Sequence, residues 1–135
     1  MRVCLDTNVL VAALATRGLC SDVLRTVLAE HELVLGEVIL TELRRALEEK
    51  LRLPADRIAA AEEAFRAIEI VPEPAEPSTL QLRDPADRWI VATAVTGAAE
   101  VLVTGDSDLL EVADDAPLPM LSPRAFWDLL RSRPA

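Results

Sequence analysis

The sequence predicts an α/β protein in which a parallel sheet is covered by helices on both faces, and two observations carry that expectation. Short apolar runs such as RVCL at residues 2–5, LVL at 33–35 and VLV at 101–103 have the length of strands, and helical patterns separate them. Two of these runs pass directly into aspartates, Asp6 and Asp106, and the carboxyl ends of parallel strands are where such sheets bind ligands.

Taken in order, residues 2–5 form a strand, 8–15 and 21–30 two helices, and 33–35 a second strand. A long helix follows over residues 37–51, its apolar stripe centred on Ile39, Leu43, Ala46 and Leu47. Pro54 opens another helix that reaches Ile68, since a proline in the first turn forfeits no helical hydrogen bond. Residues 69–71 make a third strand, and PEPAEP at 72–77 is a stiff connection. Asp84 then caps a helix with Pro85 at its first position. A strand at 101–103, a short helix after Asp108, a strand around 118–121 and a final helix opened by Ser122 and Pro123 complete the chain. There is no internal repeat.

With 135 residues, 51% of them hydrophobic, the chain can build a real core, and a single domain spanning 1–135 is expected. No apolar run approaches a membrane span, and the N-terminus has no basic stretch leading into a secretory apolar core; a soluble, cytoplasmic protein with no membrane partner is the expectation. Cys4 and Cys20 do not make a disulfide framework, and Cys4 reads as a small core residue. One histidine, His31, expected at the surface closing a helix, leaves no zinc-type ligand set and no Ser-His-Asp or Cys-His pair. The formal net charge of −9 argues against a broad basic surface for nucleic acid. Carboxylates that converge on divalent ions would, however, overstate the negative potential a phosphate meets.

Two further acids lie on helices. At about 100° per residue, Glu42 falls roughly 60° from Ile39 and so borders the buried face, whereas Glu48 lies opposite and should be solvated. Asp87 is in register with Ile90, Val91, Ala94 and Ala98, at the N-terminal end of a stripe expected to be buried, where an unpaired charge is costly. Each acid alone has an ordinary explanation: Asp6 and Asp106 as turn or cap residues, Glu42 as a surface charge, Asp87 as a first-turn acid favoured by the helix dipole. Two acids at strand ends and two on inward-tending helix positions can nevertheless converge on one edge of the sheet.

These residues resemble the PIN domain, a metal-dependent ribonuclease fold that includes the VapC-like toxins of bacterial toxin-antitoxin modules. The resemblance covers essentially the whole chain: LDTN at 5–8, TEL at 41–43, DRWIVATA at 87–94 and TGDSDLL at 104–110 stand in the family's order and spacing. It implies a parallel five-stranded sheet flanked by helices. It also implies a catalytic, metal-binding set of Asp6, Glu42, Asp87 and Asp106, with Asp108 as an auxiliary ligand and Asn8 and Thr104 as polar helpers. Gly36 departs from the pattern, since many relatives carry a small hydroxyl residue there, before the long helix.

Carboxylate oxygens without imidazole or thiolate select magnesium or manganese. The expected activity is endonucleolytic hydrolysis of RNA that leaves a 5′-phosphate and a 3′-hydroxyl, as the resemblance implies. Expected partners are an RNA substrate, a protein antitoxin that inserts a basic segment among the four acids, and a second copy in a homodimer. A housekeeping RNA-processing nuclease and a catalytically silent binding module of the same family are the alternatives. Against the silent module stands the intact acidic set, whose mutual repulsion is costly without a metal. A phosphoacceptor receiver or a haloacid-dehalogenase-type phosphatase would need a lysine at a strand end, and the one lysine, Lys50, belongs to the long helix. Phe65, Trp89, Phe126 and Trp127 form no evident base-stacking platform; Trp89 is expected to pack on a neighbouring helix or subunit, and Phe126 and Trp127 to dock the terminal helix. Arg17, Arg44, Arg45 and Arg88 are candidates to flank the cleft.

Overall fold

The structure is a computed structural model and describes residues 1–132. Its strands are β1 (Arg2–Leu5), β2 (Glu32–Gly36), β3 (Ile70–Val71), β4 (Val101–Val103) and β5 (Met120–Leu121). Its helices are α1 (Thr7–Ala15), α2 (Leu19–Glu30), α3 (Glu37–Glu49), α4 (Ala55–Arg66), α5 (Pro85–Thr96), α6 (Ser107–Glu111) and α7 (Pro123–Ser132), with a 3-10 turn at Ala113–Asp115. The strands form one parallel sheet in the order β3-β2-β1-β4-β5, so the expected five-stranded parallel architecture is present.

That order positions the site. The chain begins in the middle of the sheet, moves outward through β2 to β3, then reverses to lay β4 against the other edge of β1. Right-handed crossovers taken in opposite directions put helices on both faces and open a crevice where the direction changes, at the carboxyl ends of β1 and β4. Both strands are buried almost throughout, with Val3, Cys4, Leu5, Leu102 and Val103 fully excluded from solvent. Just past β1, the Asp6 N–H donates to the Val103 carbonyl at 2.9 Å, and the Thr104 N–H donates to the Leu121 carbonyl at 2.9 Å. The backbone therefore stays in register up to the residues that carry the acids.

α3 buries Ile39, Leu40, Leu43 and Leu47, exposes Glu48 and leaves Glu42 half-buried, as the angular arithmetic requires. Phe126 is fully buried and anchors α7, with Trp127 packed beside the core. His31 caps the end of α2.

Gly36 precedes α3 without a side-chain cap, and its replacement of a hydroxyl residue has a steric cause. A Cβ at Gly36 would stand 2.4 Å from Thr93 Cγ2 of α5, a β-branched side chain with little freedom on a helix. Gly97, at the end of α5, is constrained in the same way, since a Cβ there would stand 2.4 Å from Val34 Cγ1 and 2.9 Å from Val71 Cγ2.

The element boundaries shift by a few residues from expectation, for local reasons. α1 starts at Thr7 because Asp6 is already its cap. α2 starts at Leu19, after Gly18 and without a side-chain cap that the sequence could have announced. α3 and α4 stop at Glu49 and Arg66, where the chain turns through Arg52 at a φ of 50° and through the Ile68 N–H bonded to the Phe65 carbonyl. α6 begins at Ser107, before Asp108, so Asp108 lies inside its first turn.

Candidate active site

Asp6 is the most enclosed acid, with only 5% of its surface exposed. Its Oδ1 accepts the Thr7 N–H at 2.7 Å and its Oδ2 accepts the Thr104 hydroxyl at 2.7 Å. The Thr104 oxygen in turn accepts the Asp106 N–H at 3.0 Å, which fixes the direction in which its own proton points. One buried threonine thus ties the ends of β1 and β4 together. Asn8 makes a looser version of the same tie: its Oδ1 accepts the Gly105 N–H at 3.2 Å while its Nδ2 lies 3.5 Å from Asp6 Oδ2.

Asp6 and Asp106 are both helix caps, of α1 and α6, and Asp106 Oδ1 accepts the Asp108 N–H at 2.9 Å. The ordinary reading of these aspartates and the site reading coexist: each cap uses one oxygen on backbone N–H and directs the carboxylate into the crevice. Asp108 takes part through that N–H; no hydrogen bond joins its carboxylate to the other acids among the described residues.

Glu42 comes from α3, where Thr7 donates its hydroxyl to Oε2 at 2.9 Å. Thr7 escaped the sequence analysis, although its place beside Asp6 in a first helical turn was a usable signal. Asp87 comes from the first turn of α5, which Asp84 caps by accepting the Ala86 N–H at 3.0 Å. The Asp87 carboxyl lies within electrostatic reach of Asp106 and Asp6. Asp84 is more than a cap, since its charge also bears on both Glu42 and Asp87.

Three of the four acids are pushed above the ordinary carboxylate range. For Asp87 burial is the largest cause, followed by the charges of Asp106, Asp6 and Asp84, and its pKa rises to about 7. Asp6 is raised by burial and by Asp106, against hydrogen bonds from Thr104 and Thr7 that hold it down. Glu42 is raised by burial and by Asp6 and Asp84, against the Thr7 hydrogen bond and the Arg45 charge. Among the described residues, no ion pair neutralises Asp6, Glu42, Asp87 or Asp106.

Of the four arginines expected to flank the cleft, Arg45 is the one whose charge bears on a site acid. Arg44 is held at 3.0 Å by Glu62 and 3.5 Å by Glu48, and Arg88 donates from Nε to the Ser78 carbonyl at 2.7 Å. Arg17 is exposed after α1, while Arg45 stands within electrostatic reach of Glu42. A cavity of about 400 Å³ elsewhere, between residues 78–81 and 112–117, brings in only Asp115 and none of the four acids.

Among the described residues, no three acid, histidine or cysteine side chains already converge tightly enough to hold a metal ion. The donor chemistry nonetheless fits one: every candidate ligand is a carboxylate oxygen, and the charges of Asp106 and Asp6 both bear on Asp87, a repulsion that a cation would relieve.

A crevice of carboxylates at the strand-order reversal of a parallel sheet places the chain among α/β proteins of PIN-like fold. Residues 2–108 match the family model of the PIN domain, and the chain belongs to that family. Its members are generally nucleases that use divalent metal ions. Among solved structures, a chain of VapBC2 from Rickettsia felis, crystallised bound to a DNA fragment from their promoter, is similar with a TM-score of 0.64 and 19% identity. The similarity covers 90% of this chain and 98% of that one. A chain of FitAcB from Neisseria gonorrhoeae has a TM-score of 0.59 and 20% identity over the same shares. No curated protein sequence matches significantly.

Proposed function

We propose that this chain is a magnesium- or manganese-dependent endoribonuclease and the toxin of a toxin-antitoxin module. The observation that carries the reading is the gathering of Asp6, Glu42, Asp87 and Asp106 around one crevice, with no ion pair to any of them among the described residues and with three of the four desolvated and raised in pKa. A fold keeps such repulsion where something else supplies positive charge. Asp6 and Asp106, on strand ends, and Glu42 and Asp87, on helices, are the residues that would hold the ion, with Asp108 in reserve. A divalent ion there would supply polarisation of the scissile phosphate and activation of water for in-line attack.

The chain's own residues do the rest. Thr104 and Thr7 lock the rotamers of Asp6 and Glu42, so the carboxylates meet their ligand already oriented. Asn8 holds the loop that delivers Asp106. Water adds to phosphorus as the bond to the 3′ oxygen breaks, which leaves a 5′-phosphate and a 3′-hydroxyl.

The toxin role and an antitoxin partner are supported by the PIN family membership and by the likeness to a chain of VapBC2. The antitoxin would place a basic segment among the four acids, and a homodimer is part of the same reading. The test is RNA cleavage with magnesium or manganese, with EDTA, and with an Asp6→Asn control. Cleavage that stops with EDTA and in the variant is expected; cleavage that survives both would overturn the proposal. Expression without a partner should arrest growth.

A further inference from the structure

We propose that the groove between α3 and α5 binds single-stranded RNA, with a base next to the scissile phosphate seated on Trp89 and the backbone running over Arg45 towards Lys50. This deepens the nuclease reading and rests on it. Trp89, expected to pack on a neighbouring helix or subunit, is half-buried. It lines an open cavity of about 310 Å³ with Val38, Ala86, Glu42, Arg45 and Glu73. A second cavity of about 220 Å³ is lined by Thr7, Glu42, Arg45, Ala46, Glu49 and Lys50. The two share Glu42 and Arg45, so they form one track that passes a proposed metal ligand midway.

The track carries charges of both signs, and its two cations stand out by their lack of ion-pair partners among the described residues. Arg2, Arg25, Arg44 and Arg66 are each ion-paired with a carboxylate, whereas Arg45 and Lys50 have no ion pair among the described residues. At the Trp89 end, Glu37 is paired with Arg66 at 3.0 and 3.3 Å; Glu73 lines the first cavity and Glu49 the second, so Arg45 and Lys50 offset these two acids along the track and are the groups on it that a phosphate can contact. An indole wall beside two available cations is the combination that holds single-stranded nucleic acid, the ring taking a base face and the cations its phosphates. A duplex keeps its base faces stacked internally and cannot offer one to Trp89.

The experiment uses the full chain with Asp6→Asn to block cleavage and Trp127→Phe to leave Trp89 as the sole indole. A short single-stranded RNA of mixed sequence should quench Trp89 emission saturably, and the same sequence as a duplex should not. Trp89→Ala and Arg45→Glu should each weaken binding, read by anisotropy of labelled RNA, roughly tenfold or more, while Trp89→Phe keeps most of it. In the cleavage-competent chain the same changes should raise KM far more than they lower kcat. Metal-dependent cleavage indifferent to Trp89→Ala and Arg45→Glu would overturn this inference and leave the nuclease reading standing. Absence of both RNA binding and cleavage in the unmodified chain would overturn both. Trp89 emission that changes with protein concentration and not with RNA would assign the groove to a second copy of the chain and overturn the inference.

Discussion

The two ends of the sheet follow opposite rules. At the amino end of β1 charge is satisfied: Arg2 pairs with Glu32 at 2.6 Å, and its Nε and an Nη donate to the Gly97 carbonyl at 3.0 and 2.7 Å. The same end is tightly packed, with Gly97 pressed between Val34 and Val71. At the carboxyl end of the same short strand, four carboxylates gather with no cation bound to them among the described residues, and hydroxyls and backbone N–H groups merely orient them. The difference teaches where stability and function reside. One end resists unfolding, and the other holds repulsion that a ligand would relieve.

Short of removing a carboxylate itself, the largest effect expected from breaking this contrast lies at Thr104. Thr104→Val removes both the donor to Asp6 and the acceptor for the Asp106 N–H, so metal affinity and cleavage should fall about 10- to 100-fold, while Thr104→Ser should keep most of both. Isothermal titration with manganese and an RNA cleavage assay would check it. Gly97→Ala probes the other end. Its methyl group would overlap Val34 and Val71, so denaturant melts should show a loss of about 1–3 kcal/mol with metal affinity unchanged in the folded protein.

Acidity offers a subtler handle on the same comparison. The Asp87 pKa goes from an ordinary 3.8 to about 7 on folding, and Asp6 and Glu42 move in the same direction. Between those values the folded chain holds a proton that the unfolded chain has released, so the metal-free protein should lose stability as pH rises from about 4 to about 7, then level off. Magnesium should flatten or reverse that slope. Melts at pH 5 and 7.5, with EDTA and with magnesium, read it directly.

Much of this was legible in the sequence because it is local. β4 and the Asp84–Pro85 helix start depend on residues adjacent in the chain, and the placement of Glu42 and Glu48 follows from helix periodicity alone. The four acids could be singled out because each stands at a strand end or on an inward helix position. What escaped depends on contacts between distant segments. Thr7 reaches Glu42 across 35 residues, Arg44 is taken by Glu62 of α4, and Gly36 is demanded by Thr93. The packing of helices around the sheet makes these meetings, and no single window of sequence contains it.

The smallest expected effect is at Asp84. As a cap its loss should cost about 1 kcal/mol. Its charge, however, also raises Glu42 and Asp87, so removing it relieves repulsion and the net change for Asp84→Ala should be smaller than for an isolated cap. Thermal melts against Asp84→Asn, which keeps the cap and drops the charge, separate the two contributions: the asparagine variant should be the more stable.

Asp87→Asn tests the claim that the carboxyl edge is a ligand site and not a row of helix starts. The charge it removes is repelled by Asp106, Asp6 and Asp84 and is partly desolvated. The measurement is the melting of the variant and of the unmodified chain with EDTA and with magnesium, alongside an RNA cleavage assay. The account predicts that the metal-free variant is as stable as the unmodified chain or more so, that magnesium no longer raises its Tm, and that cleavage is lost. A variant that is less stable without metal yet still responds to magnesium and cleaves RNA would contradict it.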